Sequence, residues 1–164
     1  MITKKLKINL AFFVLYCVVF SGNAFGETSI LDIAGKYVTD TENSIYIQPN
    51  INQEKLENFL NMMRRKFNIN IKGEDVIVYF DETLFGSGKS GVALTNDELI
   101  CNVSLGFKGS LKLKKINSVT IDGFLNKTIE IDTGSKKKIS IELTQGNQGA
   151  ETIVDILQEY IVEK

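Results

Sequence analysis

The spacing of the apolar residues changes twice along this chain, and the two changes limit the folds open to it. Leu56, Phe59, Leu60, Met63 and Phe67 fall on one stripe of a helix, with Lys55, Asn58, Asn61 and Arg65 on the opposite face. From Ile69 onward the pattern alternates. Residues 76–80 (VIVYF) and 91–95 (GVALT) read as strands, being rich in β-branched and aromatic residues. Residues 98–105 follow, with Leu99, Cys101, Val103 and Leu105 on one face; then come 111–115, 119–123, 128–132 and 138–143. Helical spacing returns with Ile153, Ile156, Leu157, Tyr160 and Ile161. A helix, about seven short strands and a closing helix predict an α+β domain built on antiparallel pairs.

Local chemistry punctuates these elements. Asn52 is placed to cap the first long helix, and Ile51 and Leu56 are spaced for a hydrophobic staple. Asn147 is placed to cap the last helix, where Glu151 suits the positive N-terminal end. Thr133-Gly134-Ser135 is turn chemistry. Ser44 to Gln48 is a short strand-like run ended by Pro49. Before it, Ile30, Ile33, Ala34 and Tyr37 follow Ser29 at helical spacing, which predicts a short helical lead-in.

Residues 1–26 read as an export signal rather than part of the fold. Lys4, Lys5 and Lys7 precede an apolar run over 8–20, and Ala24 and Gly26 supply the small residues of a cleavage site near Gly26-Glu27. The apolar run is short for a membrane span, so an uncleaved anchor is the lesser reading and the only expected route to the membrane. Tyr16 before Cys17 excludes a lipidated cysteine. The expected destination is the periplasm or the extracellular space. The expected organisation is a signal over 1–26, a lead-in over 27–43, a short strand plus amphipathic helix over 44–68, and the main domain over 69–164.

Composition excludes several chemistries. Three of the 19 basic residues and none of the 20 acidic ones precede Glu27, so the exported part carries a net charge of −4 and has no global attraction to nucleic acid. The chain has no histidine and no tryptophan. Cys101 is the one cysteine after the signal, so a Cys-cluster metal site and an internal disulfide are both excluded there. Placed in the apolar row of a strand, Cys101 is expected to be a buried structural thiol. Neither a metal nor another cofactor is expected. No nucleophile–base pair is visible, so catalytic residues are not assigned. The sequons at Asn102 and Asn126 matter only where the source glycosylates exported proteins.

Residues 81–91, DETLFGSGKSG, lie between two strands. Gly88-Lys89-Ser90 matches the second half of a phosphate-binding loop, but Thr83 stands where the first glycine belongs. Ser90 leads into a strand, not into the helix whose N-terminus such a loop needs. The better reading is a structural turn. Gly86, Gly88 and Gly91 supply positive φ, and Asp81 and Thr83 hydrogen-bond the turn amides. Leu84 or Phe85 tucks inward, with Phe85 preferred, and Lys89 lies at an exposed tip. Asp81 and Glu82 are adjacent and so point to opposite sides, which disfavours paired acid–base work.

Residues 76–95, VIVYFDETLFGSGKSGVALT, resemble the first hairpin of bacterial pleckstrin-homology-like (PH-like) domains of uncharacterised role. The resemblance extends over 45–162 in the order of elements. In that pattern an acidic residue often follows the lysine, where this chain has Ser90. The resemblance implies a bent antiparallel sheet or partly open barrel with a C-terminal capping helix. It implies no enzyme activity and no fixed ligand. The turn residues Asp81, Thr83, Phe85, Gly86, Gly88, Lys89 and Gly91 are then the candidate ligand loop.

Three functions follow. The first is a non-enzymatic exported module binding an unknown protein or peptide. The second is a binder of anionic lipid or a small ligand through Lys89 and the strand lysines. The third is a small hydrolase without a recognisable motif. Lys112, Lys114, Lys115, Lys127, Lys136, Lys137 and Lys138 make the C-terminal half locally basic, but Glu130, Asp132 and Glu142 interleave with them. Edge-strand lysines also discourage aggregation. No aromatic residues alternate with them, so single strands of nucleic acid find no stacking platform. No pocket lined by two or more ionisable groups is expected.

Overall fold

A computed structural model describes residues 28–38, 44–124, 126–144 and 147–164. Residues 1–27, which include the segment expected to be an export signal, and the connection over 39–43 lie outside the described residues.

The described chain runs α1 (Ile30–Tyr37), β1 (Ile45–Ile47), α2 (Gln53–Phe67), β2 (Val78–Asp81), β3 (Gly91–Leu94), β4 (Glu98–Asn102), β5 (Leu105–Gly106), β6 (Lys108–Lys112), β7 (Ser118–Asp122), β8 (Lys127–Asp132), β9 (Ile139–Leu143) and α3 (Asn147–Glu163). The strands form two antiparallel sheets. One has five strands in the order β1-β2-β3-β4-β6, and the other has four in the order β5-β9-β8-β7. The fold is therefore α+β, as the periodicity predicts, but the sheets do not close into a barrel.

Two differences from the predicted strands have a local cause. The run over 98–105 is not one strand. It stops at Asn102, and Leu105 resumes in the other sheet, opposite Glu142 of β9. Leu99, Cys101 and Val103 are buried as their alternation predicts, while Leu105 is left 52 % exposed. The run predicted over 111–115 starts earlier, at Lys108, and ends as a 3₁₀ turn over Leu113–Lys115. Gly109 makes the early start possible, because its φ of 143° keeps it in the ladder opposite Cys101. Leu113 is then pulled out of register and buried, its N–H donating to the Asp97 carbonyl at 2.8 Å.

The five-stranded sheet is covered on both faces. Alternation places Val78, Phe80, Val92, Leu94, Leu99 and Cys101 on its inner face. These pack with Val119, Ile129, Ile131, Ile141 and Leu143 of the second sheet and with both flanking helices. The lead-in helix α1 contributes Ile30, Ile33 and Ala34 to this core, and Ser29 caps it by accepting the Asp32 N–H. α3 lies against β7, β8 and α1. Lys36 and Tyr37 of α1 both bond the Glu159 carboxylate of α3, which holds that acid below its usual range, the lysine hydrogen bond first and the tyrosine next.

The outer face carries Tyr79, Ala93 and Ile100, and α2 lies on it through Leu56, Phe59, Leu60 and Met63. This is the apolar stripe of the sequence, with Phe67 half-buried at its end. Asn52 caps α2 by accepting the Lys55 N–H at 3.1 Å, and Asn68 ends it in the left-handed region at φ 56°.

Cys101 is fully buried, and burial followed by the Glu82 charge pushes its thiol well up. In the unfolded chain this thiol ionises near pH ~8.5. The folded chain then holds a proton that the unfolded chain releases, so stability falls as pH rises past that value. The expected loss from this group is about 2 kcal/mol between pH ~8 and ~10. Urea denaturation at both pH values checks it. Cys101→Ala should flatten the dependence, and an unchanged slope would refute the assignment.

Candidate binding loop

β2 ends at Asp81, which pairs with Gly91 of β3, so residues 82–90 form the connecting loop. The two acids at its base point to opposite sides of the sheet, as adjacency requires. Asp81 lies on the outer face with Tyr79, and Glu82 points towards the second sheet. Both are buried, at 2 % and 4 % exposure.

Asp81 organises the outer side. Its Oδ1 accepts the Thr83 N–H at 3.0 Å and the Thr83 hydroxyl. Thr83 Oγ1 in turn accepts the Gly88 N–H at 3.2 Å. Oδ2 sits 3.1 Å from Lys55 Nζ, an ion pair whose approach lies off the line of a good hydrogen bond. Lys55 also donates to the Tyr46 hydroxyl at 3.0 Å, and that bond, ahead of the Asp81 contact, raises the lysine above its ordinary value against the effect of partial burial. The Tyr79 hydroxyl donates to the Gly88 carbonyl at 3.1 Å. Burial, reinforced by the Asp81 charge, drives the Tyr79 phenol far up, so it remains a hydrogen-bond donor.

Glu82 organises the inner side. Its Oε1 accepts the Thr144 N–H at 2.8 Å, just past the end of β9. Its Oε2 lies 3.0 Å from the Ser90 hydroxyl, which is also 2.8 Å from the Asn102 carbonyl. The Asn102 side chain donates back to the Lys89 carbonyl.

The loop bends over α2. Asn58 donates to the Ser87 carbonyl at 3.1 Å. Gly88, at φ 70°, passes so close to α2 that a Cβ there would lie 2.3 Å from the Lys55 carbonyl oxygen. Positive φ and close approach both require glycine at this position. Gly86 is also at positive φ, but Gly91 is not. Gly91 is extended within β3, and a Cβ there would strike the Phe80 carbonyl at 2.1 Å.

Phe85 reverses its predicted direction. It is 92 % exposed and Leu84 is 68 % exposed, so neither side chain tucks inward. The space beneath the loop is filled by the Asp81 and Glu82 networks, which leave no apolar seat for a ring. Lys89 is exposed, as expected for a tip. Lys55 and Asn58 also differ from the sequence reading. They flank the apolar stripe, half-buried, and turn towards the loop. The signal for them was the polar row Asn52, Lys55, Asn58, set three apart beside the apolar stripe.

The strand lysines do not form one free patch. Lys112 pairs with Glu98 at 2.6 Å, Lys127 with Glu151 at 3.1 Å, and Lys138 with Glu130 at 3.2 Å. The expectation that no pocket holds two ionisable groups fails. A groove of about 760 Å³ at the far end of the molecule is lined by Glu74, Asp75, Asp97, Glu98 and Lys112. It forms because Asn68–Ile71 runs past a stretch of sheet that α2 leaves uncovered, and because Thr95 Oγ1 accepts the Asp97 and Glu98 amides and turns those acids outward. Among the described residues no group of three or more His, Cys, Asp or Glu is placed to hold a metal ion, and no helix is long and apolar enough to cross a membrane.

Comparison with protein-family models, curated proteins and solved structures gives no match.

Proposed function

We propose that this chain is an exported, non-enzymatic binding module of PH-like build, and that it engages its partner through the β2–β3 loop. The strand order supports the PH-like reading. β2, β3, β4 and β6 pair in succession, β7, β8 and β9 follow as a second meander, and a helix closes the chain. On this reading β1 and β5 are additions at the sheet edges.

The observation that carries the functional reading is the pair Leu84-Phe85. A turn that only joins two strands is ordinarily built from polar residues and glycine. Here two large apolar side chains stand in solvent on a loop held by Asp81, Glu82, Thr83, Tyr79 and Asn58. A braced loop loses little conformational freedom on binding, so most of the apolar contact is retained as affinity. The alternative route through the strand lysines is weakened by the ion pairs of Lys112, Lys127 and Lys138.

The test is retention of the chain by an envelope fraction of its source cell, membranes and proteins together. Leu84→Ser with Phe85→Ser should abolish retention at unchanged thermal stability, because neither side chain supports the core. Equal retention of the double variant and the parent would rule out the loop as the contact.

A further inference from the structure

The groove of about 760 Å³ at the end remote from the 82–90 loop combines two features that do not depend on one another. The first is charge. The ionisable groups of its lining are four acids, Glu74, Asp75, Asp97 and Glu98, and one base, Lys112. Glu98 holds Lys112 at 2.6 Å, and Lys72 reaches Glu74 at 3.2 Å from beside the groove. Asp75 and Asp97 are exposed, and neither is in an ion pair among the described residues.

The second feature is a strand-like stretch that no strand pairs. Between α2 and the 3₁₀ turn over Gly73–Asp75, Ile69 and Ile71 are half-buried while Asn70 and Lys72 are exposed. This is the alternation of a strand, and Ile69 and Ile71 pack on the outer core. The stretch belongs to neither sheet. Among the described residues, the N–H groups of Asn70, Ile71 and Lys72 and the carbonyls of Ile69, Asn70 and Ile71 have no hydrogen-bond partner in the protein. Ile69, Asn70 and Ile71 all line the groove.

We infer that this groove takes an extended peptide segment with basic residues at alternate positions, added as a strand along 69–72. It is a second site, at the other end of the molecule from the β2–β3 loop, and stands whether or not that loop binds. Unpaired main-chain groups are a template for another chain, and pairing of this kind takes its affinity from the backbone and its specificity from every second side chain. Those side chains meet a surface with acids in excess, which favours lysine or arginine. The acids are spread along the groove. Among the described residues no three are placed to hold one metal ion, so the matching cation carries its charges apart. No aromatic ring lines the groove to stack a base.

The probe is a short capped peptide of alternating arginine and valine bearing fluorescein, and its counterpart has glutamate for arginine. In fluorescence anisotropy the full-length protein should bind the first and not the second. Asp75→Asn with Asp97→Asn should weaken binding roughly tenfold. Thermal stability should not change, because neither carboxylate bonds within the fold. Phe85→Ser should leave the affinity unchanged, which separates this site from the loop. Amide exchange at Asn70, Ile71 and Lys72 should be fast in the free protein and slow by roughly tenfold or more at saturating peptide. Absence of binding, equal affinity for the two peptides, or unaltered affinity of the double variant overturns the inference. Binding with unchanged exchange over 70–72 rejects the added strand. Spermine matching the basic peptide in affinity would assign the groove to a free polyamine and overturn the peptide.

Discussion

Lys55→Met is expected to destabilise the fold by about 3 kcal/mol, the range in which breaking a buried ion pair falls. Asp81 is the reason. Its side chain is 1 % exposed, and Lys55 is the cation beside it at 3.1 Å. Methionine fills much of the volume of the lysine stem but leaves a carboxylate charge in a water-poor site. Asp81→Asn removes the charge while keeping an oxygen that can accept the Thr83 N–H, which is the bond that shapes the turn. The double variant should therefore be more stable than Lys55→Met alone, by about 1–2 kcal/mol, since uncharged replacement of such a pair is far milder than loss of one partner. Urea denaturation of the four proteins measures the coupling. Simple additivity of the two single changes would show that the pair is not a unit.

Gly149→Ala is expected to destabilise by about 2 kcal/mol, against the usual sign for this substitution in a helix. Alanine ordinarily favours an interior helical position over glycine by about 1 kcal/mol. At Gly149 the added carbon would lie 2.3 Å from Phe80 Cε2, 2.7 Å from Cδ2 and 2.9 Å from Cζ. Phe80 is fully buried, so the ring cannot swing aside and α3 must lift. Overpacking of this kind costs about 1–3 kcal/mol and outweighs the propensity gain. Gly35 in α1 is the control, because an added carbon there meets nothing within 4 Å. Gly35→Ala should stabilise by up to about 1 kcal/mol. Phe80→Leu should make Gly149→Ala close to neutral in that background. Thermal melts of these variants would separate the effects, and a destabilising Gly35→Ala would undermine the comparison.

The helices were legible in the sequence because each announces itself locally. Asn52 caps, and Leu56 to Met63 repeat at three and four, whereas the left-handed end at Asn68 was not read from the sequence. The strands were legible as alternation, but not as two sheets. Whether Val103 continues a strand or ends it depends on where β9 lies, and Leu105 pairs with Glu142, which alternation within 98–105 cannot reveal. The candidate loop was half-legible. Asp81-x-Thr83 and two glycines at positive φ follow from turn chemistry. The outward turn of Phe85 depends on Lys55 and Thr144, which fill the loop's underside from far along the chain. The groove at the other end was missed for the same reason. Glu74 and Glu98 are apart in sequence and meet through the path of 68–71 past the sheet.

The bond between Glu82 and Thr144 has a consequence for the order of assembly. It joins positions 62 residues apart, and the hairpin it steadies belongs to the first sheet while its partner follows the last strand. Contacts of such long separation form late, because a large loop of chain must close before they contribute. The β2–β3 pair and the Asp81 side of its loop can therefore form early as a local unit, while the Glu82 side is completed only when the residue after β9 has arrived. During synthesis the Leu84-Phe85 tip is braced from its outer side first, and from its inner side only when nearly the whole chain is made. The inner side of the loop is thus the last part of this hairpin to be set.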